Sequence, residues 1–128
     1  MYGNIATELV NAAVWVTPND DTRWVFDILD FSINGVSYTA DIGDFPNALM
    51  DTGTSCLLLY TSLYDIVLND YLIPGGCKVG LTGEINCPCY PTNYDKFPNI
   101  TTTLNGFTFT IPYMNLLVDY YTSGNYSY

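Results

Sequence analysis

A mainly β fold, with antiparallel sheets and hairpins and one short helix, is what this sequence of 128 residues predicts, and three observations predict it. Asn34-Gly35 and Asn105-Gly106 each stand between runs of branched and aromatic residues, the pattern of a tight hairpin whose turn needs positive φ. Only Thr61 to Leu72 repeats apolar residues at helical spacing. Hydrophobic residues fill 48% of positions, with 12 Tyr, 6 Phe and 2 Trp, which suffices for one packed core in a chain too short for two.

The elements follow in order. Val14-Trp15-Val16-Thr17 reads as a strand, Pro18-Asn19-Asp20-Asp21 as a turn, and Arg23 to Ile33 as a second, longer strand. After Asn34-Gly35 the chain returns through Val36-Ser37-Tyr38-Thr39-Ala40. In the helix, Leu63, Ile66, Val67 and Tyr71 share a face, Thr61 or Ser62 is available as N-cap, and Pro74-Gly75-Gly76 supplies the stop. Ile100 to Leu104 and Phe107 to Ile111 form the second hairpin. From Tyr120 to Tyr128 the periodicity is lost, so residues 1–128 are read as a single partial domain.

Composition narrows the chemistry. With 13 acidic and 3 basic residues the net charge is −10, which could not neutralise a run of phosphates and argues against a nucleic-acid partner. There is no histidine, so no Ser/His/Asp triad, Cys/His dyad or imidazole-bound zinc can be built from these residues. Cys87-Pro88-Cys89 resembles part of a metal knuckle, but a full site would need all four cysteines, Cys56 included. Structural disulfides or buried thiols are expected instead, with no metal and no cofactor. Four cysteines allow three full pairings, and spacing does not choose among them.

Residues 1–8 lack the basic start and apolar run of a secretory signal, and no stretch approaches the length of a membrane span. Two glycosylation sequons, Asn99-Ile100-Thr101 and Asn125-Tyr126-Ser127, accompany the cysteines, a combination that suits an oxidising compartment.

The chemistry concentrates in Ala48-Leu49-Met50-Asp51-Thr52-Gly53-Thr54-Ser55-Cys56-Leu57-Leu58-Leu59. An aspartate flanked by apolar runs is expected to be carried into a core, where a carboxylate needs hydrogen-bond donors. Gly53 allows close approach of a backbone amide, and Thr52, Thr54 and Ser55 carry hydroxyls. Such a carboxylate is half of a device: hydrolysing a peptide needs one group to take a proton from water and another to polarise the carbonyl, and two close carboxylates sharing one proton do both.

Asp51-Thr52-Gly53-Thr54-Ser55 resembles the active-site motif of the pepsin family of aspartic proteases. At usual residue frequencies, five such letters arise by chance in about one chain of this length in ten thousand. The likeness extends in order through Trp15-Val16, the Trp24 to Gly35 strand and turn, Asn47 to Met50, the Thr61 to Leu72 helix, Glu84-Ile85-Asn86-Cys87, and Phe97-Pro98-Asn99-Ile100 leading into Leu104-Asn105-Gly106. It covers about Ala12 to Val118 and implies one lobe, the C-terminal one, of a bilobal acid protease.

The resemblance implies that Asp51 is the second aspartate of a catalytic pair and that Thr52 locks its loop to the matching loop of the other lobe. Thr54 would bond the carboxylate or substrate, Ser55 would support the loop, and Leu49 faces either a substrate pocket or the core. The partners implied are a peptide or protein substrate and an N-terminal lobe, from the same precursor or a second chain, that holds the first aspartate and the flap tyrosine. A late apolar-apolar-Gly strand of the family is not found after Val118. Cys87 matches a family cysteine whose usual partner would lie beyond Tyr128, which leaves it unpaired or bonded to Cys77. A lysosome-like acidic compartment or secretion fits this reading. The alternatives are an inactive pepsin-like module with a structural or binding role, and a homodimer in which each copy donates one aspartate; the Thr54-Ser55 continuation and the extended match oppose the latter.

Overall fold

The computed structural model describes residues 7, 11–43, 46–54, 56–88, 94–117, 122–123 and 126–127. Its spine is β1 (Val25–Ile33), a nine-residue run of branched and aromatic side chains broken by acidic ones. Phe26 points inward at one end, and Phe31 and Ile33 point inward at the other, although these positions differ in parity. The register explains the change: pairing passes from Ile28↔Leu104 to Asp30↔Thr103, leaving Leu29 as an extra residue that is 56% exposed. A bulge of this kind re-aims every side chain beyond it.

Around β1 stand β2 (Val36–Ser37), β3 (Asn47–Leu49), β6 (Ile100–Leu104) and β7 (Phe107–Ile111), all antiparallel. The sheet order is β2-β1-β6-β7, and β3 pairs with the first residues of β1. Both Asn-Gly turns form as expected: Asn34 and Gly35 have φ of 49° and 81°, Asn105 and Gly106 of 45° and 88°. Only residues tolerant of positive φ fit there. Two small hairpins complete the fold, β4 (Lys78–Val79) with β5 (Ile85–Asn86) and β8 (Thr122–Ser123) with β9 (Tyr126–Ser127).

Helix α1 (Thr61–Ile66) continues without a break into a π-helical segment, Val67–Leu72. Its expected apolar face is the observed one, for Leu63 and Val67 join Phe31, Ile33, Ile42 and Ile100 in the core while Ile66 and Tyr71 pack against them. Burying an isoleucine or leucine this fully contributes about 1.5–3 kcal/mol. Tyr71 donates to or accepts from the Tyr38 hydroxyl at 2.8 Å, tying the helical segment to the loop after β2; burial first, then that bond, pushes its phenol pKa upward. The helical segment ends at Gly75-Gly76, where Gly76 takes a φ of 99° and a side chain on Gly75 would meet the Phe97 ring at 3.0 Å.

Three local expectations are corrected. Val14 to Thr17 is not a strand, because β propensity yields a strand only beside a neighbour, and no described segment pairs with it. The strand after Gly35 stops at Ser37 and gives way to a 3₁₀ turn, Thr39–Asp41. Thr39 explains this, since its hydroxyl donates to the Asp30 carboxylate at 2.7 Å and accepts the Phe31 N–H at 3.0 Å, competing with the ladder. Finally, neither Thr61 nor Ser62 caps the helix. Tyr60 occupies that position without a side-chain bond, and Ser62 donates instead to the Asp41 carbonyl at 2.6 Å.

Candidate active site

Asp51 follows β3 by two residues, so the β1–β3 ladder sets where it stands. Val25 pairs with Leu49, and the Met50 N–H donates to the Trp24 carbonyl at 2.9 Å, extending the pairing to the residue before the aspartate. The chain then turns sharply. Gly53 N–H donates to Asp51 Oδ1 at 2.8 Å, the Thr54 hydroxyl donates to Oδ2 at 2.7 Å, and Thr54 N–H reaches the Asp51 carbonyl at 3.3 Å. One donor on each oxygen fixes the plane of the carboxylate.

The small size of Gly53 matters here. A Cβ at that position would stand 3.2 Å from Oδ1, crowding the oxygen that the Gly53 amide holds. Both donors favour the anion, and they hold the Asp51 pKa below the usual carboxylate range; the Thr54 hydroxyl contributes most and the Gly53 amide next, against a smaller opposing effect of desolvation.

Asp51 is exposed, which corrects the expectation that its apolar flanks carry it into a core. The flanks themselves are uncovered: Leu49 is 59% exposed, Met50 53%, Leu57 50% and Leu58 78%. Apolar character marks what a residue can be packed against, and no described layer lies over these. Leu49 therefore belongs to the rim of the loop and not to the core. Below the rim an open apolar cavity of about 400 Å³ separates Leu57 and Leu59 from Ile85, Cys87 and Phe97.

The other expected residues divide. Thr52 is exposed beside the carboxylate and has no hydrogen-bond partner among the described residues. Ser55 and Asn125 lie outside the described residues, as does Cys89. Cys77 is bonded to Cys87, closing the β4–β5 hairpin, whereas Cys56 is a free and exposed thiol, not a buried one. Asn99 is exposed in the loop just before β6, and its Oδ1 accepts the Tyr113 N–H at 3.0 Å. Among the described residues no three His, Cys, Asp or Glu side chains gather as a metal site, and no helix is long and apolar enough to cross a membrane.

The anchoring of the loop through the Trp24 carbonyl escaped the sequence, because it is a backbone bond that leaves no residue signature. The exposure of the rim escaped it too. Its signal was available in the apolar runs on both sides of the motif, which lack the alternation of a half-buried strand.

Comparison with known proteins gives the family. The family model described as eukaryotic aspartyl protease matches residues 1–127. Pepsin A of Gallus gallus is 28% identical over 113 residues, 88% of this chain and 28% of that protein. Vacuolar protease A of Aspergillus fumigatus is 38% identical over 66 residues, 51% of this chain and 15% of that protein. The chain therefore spans less than a third of the length of either relative. No solved structure matches.

Proposed function

Because the chain belongs to the eukaryotic aspartyl protease family, we propose that it is the part of an aspartic endopeptidase that presents Asp51 as one of two catalytic aspartates, the other coming from a lobe outside this chain. The observation that carries this reading is the Asp51 carboxylate itself, exposed yet held at both oxygens by Gly53 and Thr54. A carboxylate oriented in this way at a surface is prepared to face a second one.

In the proposed enzyme, two aspartates too close to ionise together share one proton and hold a water between them. The ionised member takes a proton from the water as its oxygen attacks the peptide carbonyl carbon. The protonated member donates to the carbonyl oxygen, so the first step gives a neutral gem-diol. Proton transfer to the leaving nitrogen then breaks the C–N bond. Thr52, whose hydroxyl is free of partners among the described residues, would bond the opposite loop, and Ser55 would brace this one. The uncovered rim of Leu49, Met50, Leu57 and Leu58 would lie beneath the other lobe and bound substrate.

The acidic setting follows from the same chemistry. Since an ordinary aspartate titrates near ~3.9, a pair sharing one proton is active on the acid side of neutrality, between loss of the first and of the second proton. A secreted or lysosome-like location suits that window, and the names of the two relatives, a pepsin and a vacuolar protease, support it. A glycan on Asn99, exposed in a loop, belongs with this reading, as does one on Asn125.

The test is peptide hydrolysis by the complete protein from pH 2 to 9, with and without a statine-type transition-state mimic. A bell-shaped profile peaking in acid and blocked by the mimic is expected. An optimum at or above neutrality, or indifference to the mimic, overturns the proposal.

A further inference from the structure

The β1–β6 ladder closes with the same device at both of its ends. Beyond the pair Ile33↔Ile100, Asn34 donates its backbone N–H to the Asn99 carbonyl at 3.0 Å and accepts the Asn99 N–H on its side-chain Oδ1 at 2.9 Å. Beyond Ile28↔Leu104, Asn105 treats Asp27 alike, donating its N–H to the carbonyl at 3.1 Å and accepting the N–H on Oδ1 at 2.8 Å. At each end a side-chain carbonyl stands where the ladder would otherwise use a main-chain one. The amide nitrogens are held as well: Asn34 Nδ2 donates to the Phe97 carbonyl at 3.1 Å, and Asn105 Nδ2 donates to the Thr17 carbonyl and, at 2.8 Å, to Asn19 Oδ1.

Of all the asparagines in the sequence, these two alone are followed by glycine. An Asn-Gly bond is the one most open to attack by the main-chain nitrogen on the preceding side chain, because glycine has no Cβ to obstruct the approach. Water reaches both positions, for Asn34 is exposed and Asn105 half-buried. The most reactive asparagines of the chain are thus the two whose side chains are bound through oxygen and nitrogen together.

We propose that Asn34 and Asn105 are sites of spontaneous deamidation which the folded sheet closes and unfolding opens. In the reaction the nitrogen of the following glycine gives up its proton and attacks Cγ. The Cγ–Nδ2 bond breaks, Nδ2 leaves as ammonia with that proton, and a cyclic imide remains. Water then adds to either imide carbonyl and opens the ring, giving aspartate or isoaspartate. Water is the one co-reactant, and nothing is oxidised or reduced. Cγ cannot swing onto the glycine nitrogen while its oxygen and nitrogen are both anchored on another segment, so the bonds that end the ladder also block the chemistry. Once converted, the residue cannot restore them. At neutral pH the oxygen that replaces Nδ2 has no proton to give and opposes the Phe97 carbonyl, or at position 105 the Thr17 carbonyl, acceptor against acceptor. Isoaspartate also lengthens the main chain inside a tight turn. The inference does not depend on Asp51.

The complete protein, incubated at neutral pH with and without urea and then mapped peptide by peptide in a mass spectrometer, tests this. In urea, Asn34 and Asn105 should convert ahead of the other asparagines of this chain. In buffer, both should convert at least about tenfold more slowly, since the reaction then waits for the latches to open. Equal rates folded and unfolded, or another asparagine of this chain converting first in urea, overturn the proposal. The consequence is read with Asn34→Asp and Asn105→Asp, each of which should raise the equilibrium constant for urea unfolding at neutral pH at least about tenfold. Asn115→Asp adds the same charge where the side chain has no hydrogen-bond partner among the described residues, and should leave that constant near the parent's. Either of the first two variants matching Asn115→Asp overturns the claim that conversion weakens the fold. Should either fail to fold while Asn115→Asp folds, that is the loss expected, and the rates in the parent still decide whether folding closes the two sites.

Discussion

The two ends of β1 carry opposite kinds of structure. At its C-terminal end Phe31 and Ile33 are 5% and 0% exposed, covered by Ile42, Leu63 and Val67. Just before its N-terminal end stands Trp24, 66% exposed, and opposite its first residue lies Leu49 with Met50 next to it, both more than half exposed. The residue types are alike and the strand is shared. What differs is a covering layer: α1 and its π-helical continuation lie over Phe31 and Ile33, whereas no described segment lies over Trp24, Leu49 and Met50, although Phe26 on the opposite face is buried. The Asp51 loop therefore owes its shape to local bonds from Gly53 and Thr54 and to the Met50–Trp24 anchor, not to burial. Uncovered apolar surface of this kind marks a place of association. In the proposed enzyme it is where the second lobe rests.

The largest way to sharpen this contrast is Asp51→Asn in the complete protein. A neutral amide cannot share the proton, so peptide hydrolysis should fall by about 10²–10⁴-fold, while the thermal midpoint moves little, because the bonds from Gly53 and Thr54 to an exposed carboxylate contribute little to stability. Turnover retained in that variant would place the chemistry elsewhere. Stability should respond at the other end of β1. Ile33→Ala should cost about 2–5 kcal/mol by urea unfolding, and Leu58→Ala, in this chain alone, no more than about 0.5 kcal/mol. Equal losses would mean that the rim is packed in solution and would erase the distinction. Reducing the Cys77–Cys87 bond, which closes a loop of sequence separation 10, should remove about 2–3 kcal/mol on the packed side. Unchanged stability after verified reduction would show that the β4–β5 hairpin is held by other contacts.

Much of the packed end was legible. Asn34-Gly35 and Asn105-Gly106 declare their turns because few residues accept positive φ, and the spacing of Leu63, Ile66, Val67 and Tyr71 declares a buried helical face. The Asp51-Thr52-Gly53-Thr54 loop was legible for a similar reason: each short-range bond it makes is encoded by a residue within three positions. What failed depended on distant partners. Val14 to Thr17 has strand residues and no neighbour, Thr39 leaves its strand for a carboxylate nine positions back, and Leu57 and Leu58 have core composition but no cover. Propensity describes what a segment can do, and the rest of the fold decides which possibility is taken.

The smallest expected effect tests whether the loop is formed without any cover. Asp51 is held below the usual carboxylate range by the Thr54 hydroxyl first and the Gly53 amide second. Thr54→Val removes the larger cause, so its Asp51 should titrate closer to the ordinary value near ~3.9, and Thr54→Ser should restore the lower one. The sign follows from the depressed pKa in the folded chain. Its contribution to stability is complete above the unfolded value and is lost as pH falls through the folded one. Parent and Thr54→Val should thus differ at neutral pH and converge in strong acid, where both carboxyls are protonated. The difference should be small beside that of Ile33→Ala, because the group is exposed and water screens it. A carbon-detected NMR titration of the Asp51 carboxyl reads the shift directly. Identical curves for parent and Thr54→Val would mean that the two bonds do not persist in this chain alone, and that the aspartate loop, like the apolar rim around it, takes its shape only when the rest of the enzyme covers it.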